Sequence, residues 1–153
     1  MHLKVGTQAP HFAGIDQHGD AVSLADYAGR KLVLYFYPKD DTPGCTAQAC
    51  SLRDGFGPLR DAGYEILGVS PDSIARHGKF AAKYHLPFRL LADPDKVTAK
   101  AYGVWGKKKF MGREYDGILR TTFLIDKDGS IERIITKVRT RDHAAQVLEG
   151  IGE

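Results

Sequence analysis

The feature that most limits the possible folds is one long apolar segment in the first third of the chain. Residues Leu32–Tyr37 form the longest unbroken apolar run of the sequence, with Lys31 before it and Pro38 after it. The run is continuously apolar instead of alternating, which is typical of a strand that is covered on both faces. We therefore predict that Lys31–Tyr37 is a central strand of an α/β sheet and that a loop follows its carboxyl end.

Length and composition narrow the class of protein. We predict that residues 1–153 form a single domain, because the length fits one folding unit and no repeat, linker or low-complexity segment divides the chain. The chain is 42% hydrophobic and 27% charged, which is typical of a soluble globular protein. A net charge of +3 is too small to indicate nucleic acid as a partner.

The sequence also lacks the signals of export and of membrane insertion. Residues Met1–Gly6 have neither the charged start nor the apolar stretch of a signal peptide. The run Leu32–Tyr37 is far shorter than the ~20 apolar residues of a membrane span. We therefore expect a cytoplasmic protein without a membrane partner. In that reducing compartment, the two cysteines are not expected to form a permanent structural disulfide.

Strand and helix signals alternate along the chain. Strands are also predicted over His11–Asp16, Ala21–Ser23, Tyr64–Ser70, Arg89–Leu91, Leu119–Asp126 and Ser130–Lys137. Helices are predicted to begin near Ser23, Cys45, Ser73, Asp93 and Asp142, and the last of them to end at Ile151. Turns are predicted at His18–Asp20 and Lys127–Gly129. This order predicts an α/β fold with an N-terminal β extension and a central mixed β-sheet that has helices on both faces.

Two of the predicted helices have an apolar side. In the helix that begins near Cys45 this side carries Cys45, Ala49, Leu52, Phe56 and Leu59, and a break is expected around Gly55, Gly57 and Pro58. In the helix after Ser73 it carries Ile74, Phe80, Ala81 and Tyr84. We expect both sides to pack against the sheet.

Cys45 lies where the loop after the apolar strand enters a helix. This is a place where α/β proteins put active sites, and the positive end of the helix dipole favours a thiolate there. Gly44 lets a small ligand approach the backbone closely, and the Thr42 hydroxyl can both donate and accept hydrogen bonds. We expect Asp40 and Asp41 to face solvent, because carboxylates aimed at the sulfur would disfavour the thiolate.

Cys50 lies five residues after Cys45 on the same predicted helix. Ideal helix geometry separates their Cα atoms by roughly 8–9 Å, whereas a disulfide requires about 4.4–6.8 Å. An intact helix cannot hold this disulfide, so a redox pair would require local unwinding. The spacing also differs from the usual Cys-x-x-Cys redox motif. From geometry alone, Cys50 as a packed bystander and Cys45 as a small buried hydrophobic residue stay open.

A longer pattern surrounds the two cysteines. Residues Tyr35–Asp54 resemble the active-site segment of the peroxiredoxins, most closely the Q-type or bacterioferritin comigratory protein subgroup. The Pro-x-x-x-Thr-x-x-Cys pattern of the family matches Pro38, Thr42 and Cys45, and its distant arginine matches Arg120. The similarity covers nearly the whole chain and continues through Gly68–Ser73, His77, Leu86–Phe88, Leu90–Asp93, Tyr102–Trp105 and Arg120–Asp126. The chain departs from the frequent pattern at Gln48, where many relatives have an acidic residue, and at Arg76, where serine is frequent.

The resemblance implies a thioredoxin-like fold and a thiol-dependent peroxidase. Cys45 would be the peroxidatic cysteine that attacks the peroxide and becomes a sulfenic acid. Cys50 would be the resolving cysteine, which forms a transient disulfide with Cys45. The Thr42 hydroxyl, the backbone N–H groups of Gly44 and Cys45, and Arg120 would stabilise the leaving oxygen.

The resemblance also implies the surroundings and the partners of this reaction. Pro38 would shield the sulfur of Cys45 and shape the pocket. The substrates would be hydrogen peroxide and organic hydroperoxides, and thioredoxin or a similar dithiol protein would reduce the disulfide. No metal or organic cofactor would be needed. Because the resolving cysteine lies in the same chain, we expect a monomer.

Two other functions stay open at this stage, namely a thioredoxin-like disulfide reductase or binding module, and a fold with two inert cysteines. The histidines show no metal-ligand spacing; they are His2, His11, His18, His77, His85 and His143. We interpret Lys107–Lys109, between Trp105 and Phe110, as part of a solvated loop and not as a nucleic-acid patch. Arg113 and Tyr115 are placed in the same loop, with no function assigned.

Overall fold

The computed structural model describes residues 2–149. Its strands are β1 Ala13–Asp16, β2 Ala21–Ser23, β3 Lys31–Phe36, β4 Tyr64–Ser70, β5 Arg89–Ala92, β6 Trp105–Phe110, β7 Arg113–Ile118, β8 Thr121–Ile125 and β9 Ile131–Ile135. Its helices are α1 Pro43–Asp54, α2 Phe56–Asp61, α3 Ile74–Tyr84, α4 Val97–Ala101 and α5 His143–Glu149. A 3-10 turn, Leu24–Tyr27, follows β2.

The apolar strand β3 lies inside a seven-stranded mixed sheet of order β2-β1-β5-β4-β3-β8-β9. It pairs in parallel with β4 and antiparallel with β8. Residues Leu32–Phe36 are fully buried, as the continuous apolar run predicts. The strands β1 and β2 extend the sheet beyond β5, and this confirms the predicted N-terminal β extension. The predicted hairpin after Asp126 is also present, as β8 and β9.

Helices cover both faces of the sheet, as predicted, but unequally. One face packs Val33 and Tyr35 against α1, α2, α3 and α5. The other face packs Leu34 and Phe36 against α4, the N-terminal segment and the 3-10 turn. Within residues 2–149, no helix combines the length and the apolar character needed to cross a bilayer.

Helix α1 begins at Pro43, two residues before the predicted start at Cys45. Thr42 has an extended backbone and precedes a proline at the first helical position, where the missing N–H costs nothing. The predicted break is confirmed at Gly55, which separates α1 from α2. A Cβ added at Gly55 would lie 2.4 Å from the Cβ of Ala144 in α5, so glycine permits this close approach. Gly57 lies inside α2, however, and does not break it.

Two predictions about helices are wrong in detail. The helix expected to start at Asp93 begins at Val97, because Lys96 has a left-handed backbone with φ 59° and closes a turn first. The Asp93 carboxylate still accepts hydrogen bonds from the backbone N–H groups of Thr98 and Ala99. In α3, Ile74 is 40% exposed instead of buried. The predicted end of α5 at Ile151 lies outside the described residues.

The loop predicted around Lys107–Lys109 is instead an antiparallel hairpin of β6 and β7. A two-residue turn joins the strands, with left-handed backbones at Met111 and Gly112. Opposite charges face each other across the strands, as in the pair Lys107–Asp116. The hairpin was missed because its strands lack the apolar alternation on which strand prediction depends.

Candidate active site

Cys45 is the third residue of α1, at the carboxyl end of β3. Its side chain is only 2% exposed and packs in the same apolar cluster as Tyr35 and Ala49. The thiol therefore lies in the first turn of the helix, where backbone N–H groups lack intrahelical acceptors. Both cysteines are free thiols.

Arg120 reaches the sulfur of Cys45 from the neighbouring strand. Because β8 runs antiparallel to β3, its first residue Thr121 pairs with Phe36, the last residue of β3. Arg120 therefore lies at the same edge of the sheet as Cys45. Its Nη2 donates a hydrogen bond to the Cys45 Sγ over 3.2 Å, and its Nη1 donates one to the Gln48 Oε1 over 2.6 Å.

Gly44 leaves the space that the guanidinium occupies. A Cβ at this position would lie 3.2 Å from the Nη2 and 3.9 Å from the Cζ of Arg120. The Gly44 backbone has no positive φ, so the absence of a side chain, and not an unusual backbone, is what this position requires. Ligand access was the reason predicted for glycine at this position, and the structure adds a second one, room for the guanidinium of Arg120.

Thr42 and Pro38 lie in the loop that leads into α1. The Thr42 hydroxyl donates to the backbone carbonyl of Lys39 over 2.8 Å, so its oxygen keeps acceptor capacity toward the pocket. Pro38 is half-buried at the start of the loop. The structure thus brings Arg120 into direct contact with Cys45, beside Gly44, and places Thr42 and Pro38 in the adjoining loop.

The expectation that Asp40 faces solvent is wrong. Its side chain is 2% exposed and accepts a hydrogen bond from the Tyr37 hydroxyl, while its second oxygen contacts the Nδ1 of the buried His77. The carboxylate is bonded to these groups and not to the sulfur, and it ties the loop to α3. Asp41 is exposed, and its hydrogen bond from Lys83 lowers the pKa of its carboxyl group.

One group of side chains within residues 2–149 has the composition of a metal site, namely Asp40, Asp72 and His77. The Asp72 carboxylate, however, accepts hydrogen bonds from Ser70 and Arg76, and the oxygens of Asp40 are bonded as described above. These contacts already satisfy the ligand atoms, so we interpret the group as an anchor for the loop. Neither cysteine belongs to it.

Cys50 lies half-buried in the second half of α1. Since α1 is unbroken from Pro43 to Asp54, the helical separation of about 8–9 Å applies to the Cα atoms of Cys45 and Cys50.

Within residues 2–149, two buried side-chain polar atoms have no hydrogen-bond partner, the Tyr35 hydroxyl and the Gln48 Nε2. Burial raises the pKa of Tyr35 well above its ordinary value. Gln48 belongs to α1, and Tyr35 packs against that helix from the sheet.

Sequence reasoning missed two parts of this site. Gln48 was noted only as a departure from the family pattern, but it accepts a hydrogen bond from Arg120 and is fully buried. The link from Asp40 to His77 was also missed, because the residues are 37 positions apart. The position of Gln48 three residues after Cys45 was the available signal, since such residues share a helix face.

Comparison with known proteins shows the family of the chain. Residues 5–134 match the model of the AhpC/TSA family. The chain is 48% identical to peroxiredoxin Bcp of Bacillus subtilis over 149 residues, which cover 97% of this chain and 95% of the relative. It is 47% identical to peroxiredoxin Bcp of Escherichia coli over 151 residues, covering 99% and 97%.

Solved structures of peroxiredoxins are also similar to this chain. A PrxQ mutant from Xylella fastidiosa superposes with a TM-score of 0.92 at 32% identity, covering 99% of this chain and 96% of that one. The bacterioferritin comigratory protein of Xanthomonas campestris, studied for its alkyl peroxide reduction activity, gives a TM-score of 0.87 at 34% identity, with 96% of each chain covered. The chain therefore belongs to the AhpC/TSA family. Within the family it is similar to the Bcp and Q-type peroxiredoxins, which confirms the resemblance found in the sequence and the thioredoxin-like fold that it implies.

Proposed function

We propose that this chain is a thiol peroxidase that reduces hydrogen peroxide and organic hydroperoxides at Cys45. The thiolate attacks one peroxide oxygen, the O–O bond breaks, and Cys45 becomes a sulfenic acid. The other oxygen leaves with the electron pair of that bond and takes up a proton, which yields water or an alcohol. Sulfur is oxidised by two electrons and the peroxide is reduced by two.

The observation that carries this proposal is the contact between the Arg120 Nη2 and the Cys45 Sγ, at 3.2 Å. A guanidinium at this distance stabilises the negative charge of a thiolate. The same group, with the backbone N–H groups of Gly44 and Cys45, can stabilise charge on the leaving oxygen. Thr42 can accept the hydrogen bond of the incoming peroxide, and Pro38 closes the pocket against water.

The resolving step in this proposal uses Cys50. Its thiolate attacks the sulfenic sulfur of Cys45, the S–S bond forms as the S–O bond breaks, and the hydroxide that leaves takes up a proton to give water. The helical separation of the two residues requires part of α1 to unwind before this step. Two unpartnered polar groups, on Tyr35 and Gln48, weaken the packed state of α1 and so favour unwinding.

A dithiol protein such as thioredoxin completes the cycle by reducing the Cys45–Cys50 disulfide. In this proposal residues 1–153 form one domain. Because both cysteines belong to the same chain, a monomer suffices for the cycle. The proposed setting is the cytoplasm, where such reductants maintain free thiols. The relatives named peroxiredoxin support the peroxide substrate.

Stopped-flow mixing of the reduced protein with hydrogen peroxide tests the proposal. Trp105, the single tryptophan, provides a fluorescence signal. We expect rapid oxidation of Cys45 in the wild-type protein and no rapid oxidation in Cys45→Ser. A wild-type protein that is oxidised no faster than free cysteine would refute the peroxidase function.

A further inference from the structure

Lys108 differs from the lysines beside it in the hairpin. Lys107 and Lys109 are 75% and 78% exposed and form ion pairs with Asp116 and Glu114. Lys108 points to the opposite face of β6, is half-buried, and has no carboxylate partner among residues 2–149. A half-buried lysine without a counter-ion is unusual, because burial of a charged side chain is unfavourable unless the charge is paired.

The contacts of Lys108 direct its ammonium toward the active-site edge of the sheet. Its side chain lies against Gly117, where an added Cβ would be 3.0 Å from the Lys108 Cδ. Its Nζ donates a hydrogen bond to the backbone carbonyl of Ile118 over 2.9 Å. Ile118 lies two residues before Arg120, the residue that binds the sulfur of Cys45. No other acceptor among residues 2–149 bonds this ammonium, so two of its three N–H donors are available to a ligand.

The electrostatic environment agrees with this position. Burial lowers the pKa of Lys108, the charge of Arg120 lowers it further, and the charge of Cys45 raises it. The two cations therefore repel each other at the edge of the pocket. An anion bound between solvent and Arg120 would relieve this repulsion and use the free donors of Lys108.

We propose that Lys108 is a specificity residue that binds the carboxylate of an anionic organic hydroperoxide while its peroxide group lies at Cys45. The inference rests on the proposed peroxidase function and adds the class of substrate. The carboxylate is not altered in the reaction; it only orients the substrate. Neutral peroxides do not use the contact.

A matched pair of substrates tests this directly, para-carboxycumene hydroperoxide and its methyl ester. Both carry the same peroxide group, and only the acid is charged. The measurement is the rate constant of Cys45 oxidation by each compound, expressed as the ratio of acid to ester. We expect the ratio to fall about five-fold in Lys108→Met, which keeps the length of the side chain but removes the charge, as for a partly exposed ion pair.

The controls are Lys107→Met and Lys109→Met, which remove a charge from the opposite face of the same strand and should keep the wild-type ratio. Lys108→Arg should keep most of it. An unchanged ratio in Lys108→Met, whether or not both rates fall, would overturn the inference. A fall of equal size in the controls would also overturn it, since it would show a general charge effect. Failure of the peroxidase function itself would look different, because the wild-type protein would then react with neither compound.

Discussion

At the scale of single residues, the site depends on how Arg120 is held. Its guanidinium contacts Cys45 and Gln48, and it lies over Gly44. The hydrogen bond to Gln48 fixes the Nη1 of Arg120, and the missing side chain at Gly44 leaves room for its Nη2. The position of the charge at the sulfur therefore depends on residues that do not themselves react.

Gly44→Ala tests this positioning. The new Cβ would lie 3.2 Å from the Arg120 Nη2, so the guanidinium must shift by a few tenths of an ångström, which disturbs its contact with the sulfur. We expect the rate constant for oxidation of Cys45 by hydrogen peroxide to fall about 10-fold. This loss is smaller than the loss of about 100-fold or more that complete removal of a charge-stabilising donor causes. Stopped-flow fluorescence measures this rate.

Gly57→Ala is the control for the same chemical change. Gly57 lies within α2, and an added Cβ would meet nothing within 4 Å. We expect a normal peroxide rate and a free energy of unfolding that changes by less than about 1 kcal/mol, because the higher helix propensity of alanine is opposed by the contact of its Cβ with the following Pro58. Equal rates in the two variants would contradict the positioning role of Gly44.

The two tyrosines at the end of the apolar strand give a second prediction at this scale. The Tyr35 hydroxyl is buried without a partner, whereas the Tyr37 hydroxyl donates to Asp40. Tyr35→Phe should therefore raise the free energy of unfolding by about 1 kcal/mol, and Tyr37→Phe should lower it by about 1–3 kcal/mol. Urea denaturation measures both. Destabilisation by Tyr35→Phe of the same size as by Tyr37→Phe would show that its hydroxyl has a partner.

Some of these residue contacts were predictable from sequence and others were not. The motif indicated Cys45, Thr42 and Arg120, and the structure places Arg120 on the sulfur. The burial of Asp40 was not predictable, because its partner His77 lies 37 positions away, in α3. A local pattern shows which residue types are near each other along the chain, but it does not show which distant side chain satisfies a buried carboxylate.

At the scale of elements, α1 carries both cysteines and must serve two conformations in the proposed cycle. Its helical form places Cys45 beside Arg120, and an unwound form is needed to join Cys45 to Cys50. The stability of α1 therefore controls the resolving step and not the peroxide step.

Ala47→Gly tests that separation. Ala47 lies within α1, half-buried and outside the main apolar cluster. Glycine lowers the stability of a helix by about 0.5–1 kcal/mol, which corresponds to about two- to five-fold more of the unwound form. We expect disulfide formation after peroxide addition to be faster by this factor, measured by rapid quenching and thiol alkylation.

Ala82→Gly is the matched control, because Ala82 is an exposed residue of α3. It should lower the overall stability to a similar extent and leave the rate of disulfide formation unchanged. The same acceleration in both variants would show that global stability, and not the unwinding of α1, sets the rate.

Elements with strong apolar patterns were predicted closely, and elements held by other forces were not. The bounds of β4 agree with the prediction, because its residues are almost all buried. The hairpin of β6 and β7 was missed, because cross-strand charge pairs and a glycine turn hold it instead of a buried face. The start of α4 was misplaced because Lys96 adopts a left-handed backbone. This conformation is uncommon for lysine, so the sequence does not indicate it.

At the scale of the whole molecule, the sheet, its helices and their polar links must stay folded while α1 opens. His143 is one of these links: it is fully buried, and its two ring nitrogens contact Thr122 of β8 and Gln146 of α5. Burial lowers the pKa of His143 below its ordinary value of 6.5. The unfolded chain therefore binds a proton more readily than the folded chain below about pH 6.5, and the free energy of unfolding decreases as the pH falls.

His143→Gln should remove this pH dependence. Between about pH 6.5 and 5 the wild-type protein should lose stability with a slope of up to about 1.4 kcal/mol per pH unit, and the variant should show a smaller slope. Glu149, whose pKa is lowered by Arg139, loses its contribution only below about pH 4.5, outside this window. Urea denaturation at several pH values measures the slope, and equal slopes would contradict the assignment.

The central claim is that Cys45 reacts with peroxide and that Cys50 then resolves it within one chain. The most direct measurement adds one equivalent of hydrogen peroxide to the reduced protein, alkylates the remaining thiols after rapid quenching, and maps the products by mass spectrometry. The account predicts an intramolecular Cys45–Cys50 disulfide in the wild-type protein and a sulfenic acid on Cys45 in Cys50→Ser. A free Cys45 thiol after the peroxide is consumed, or a disulfide found only between chains, would contradict it.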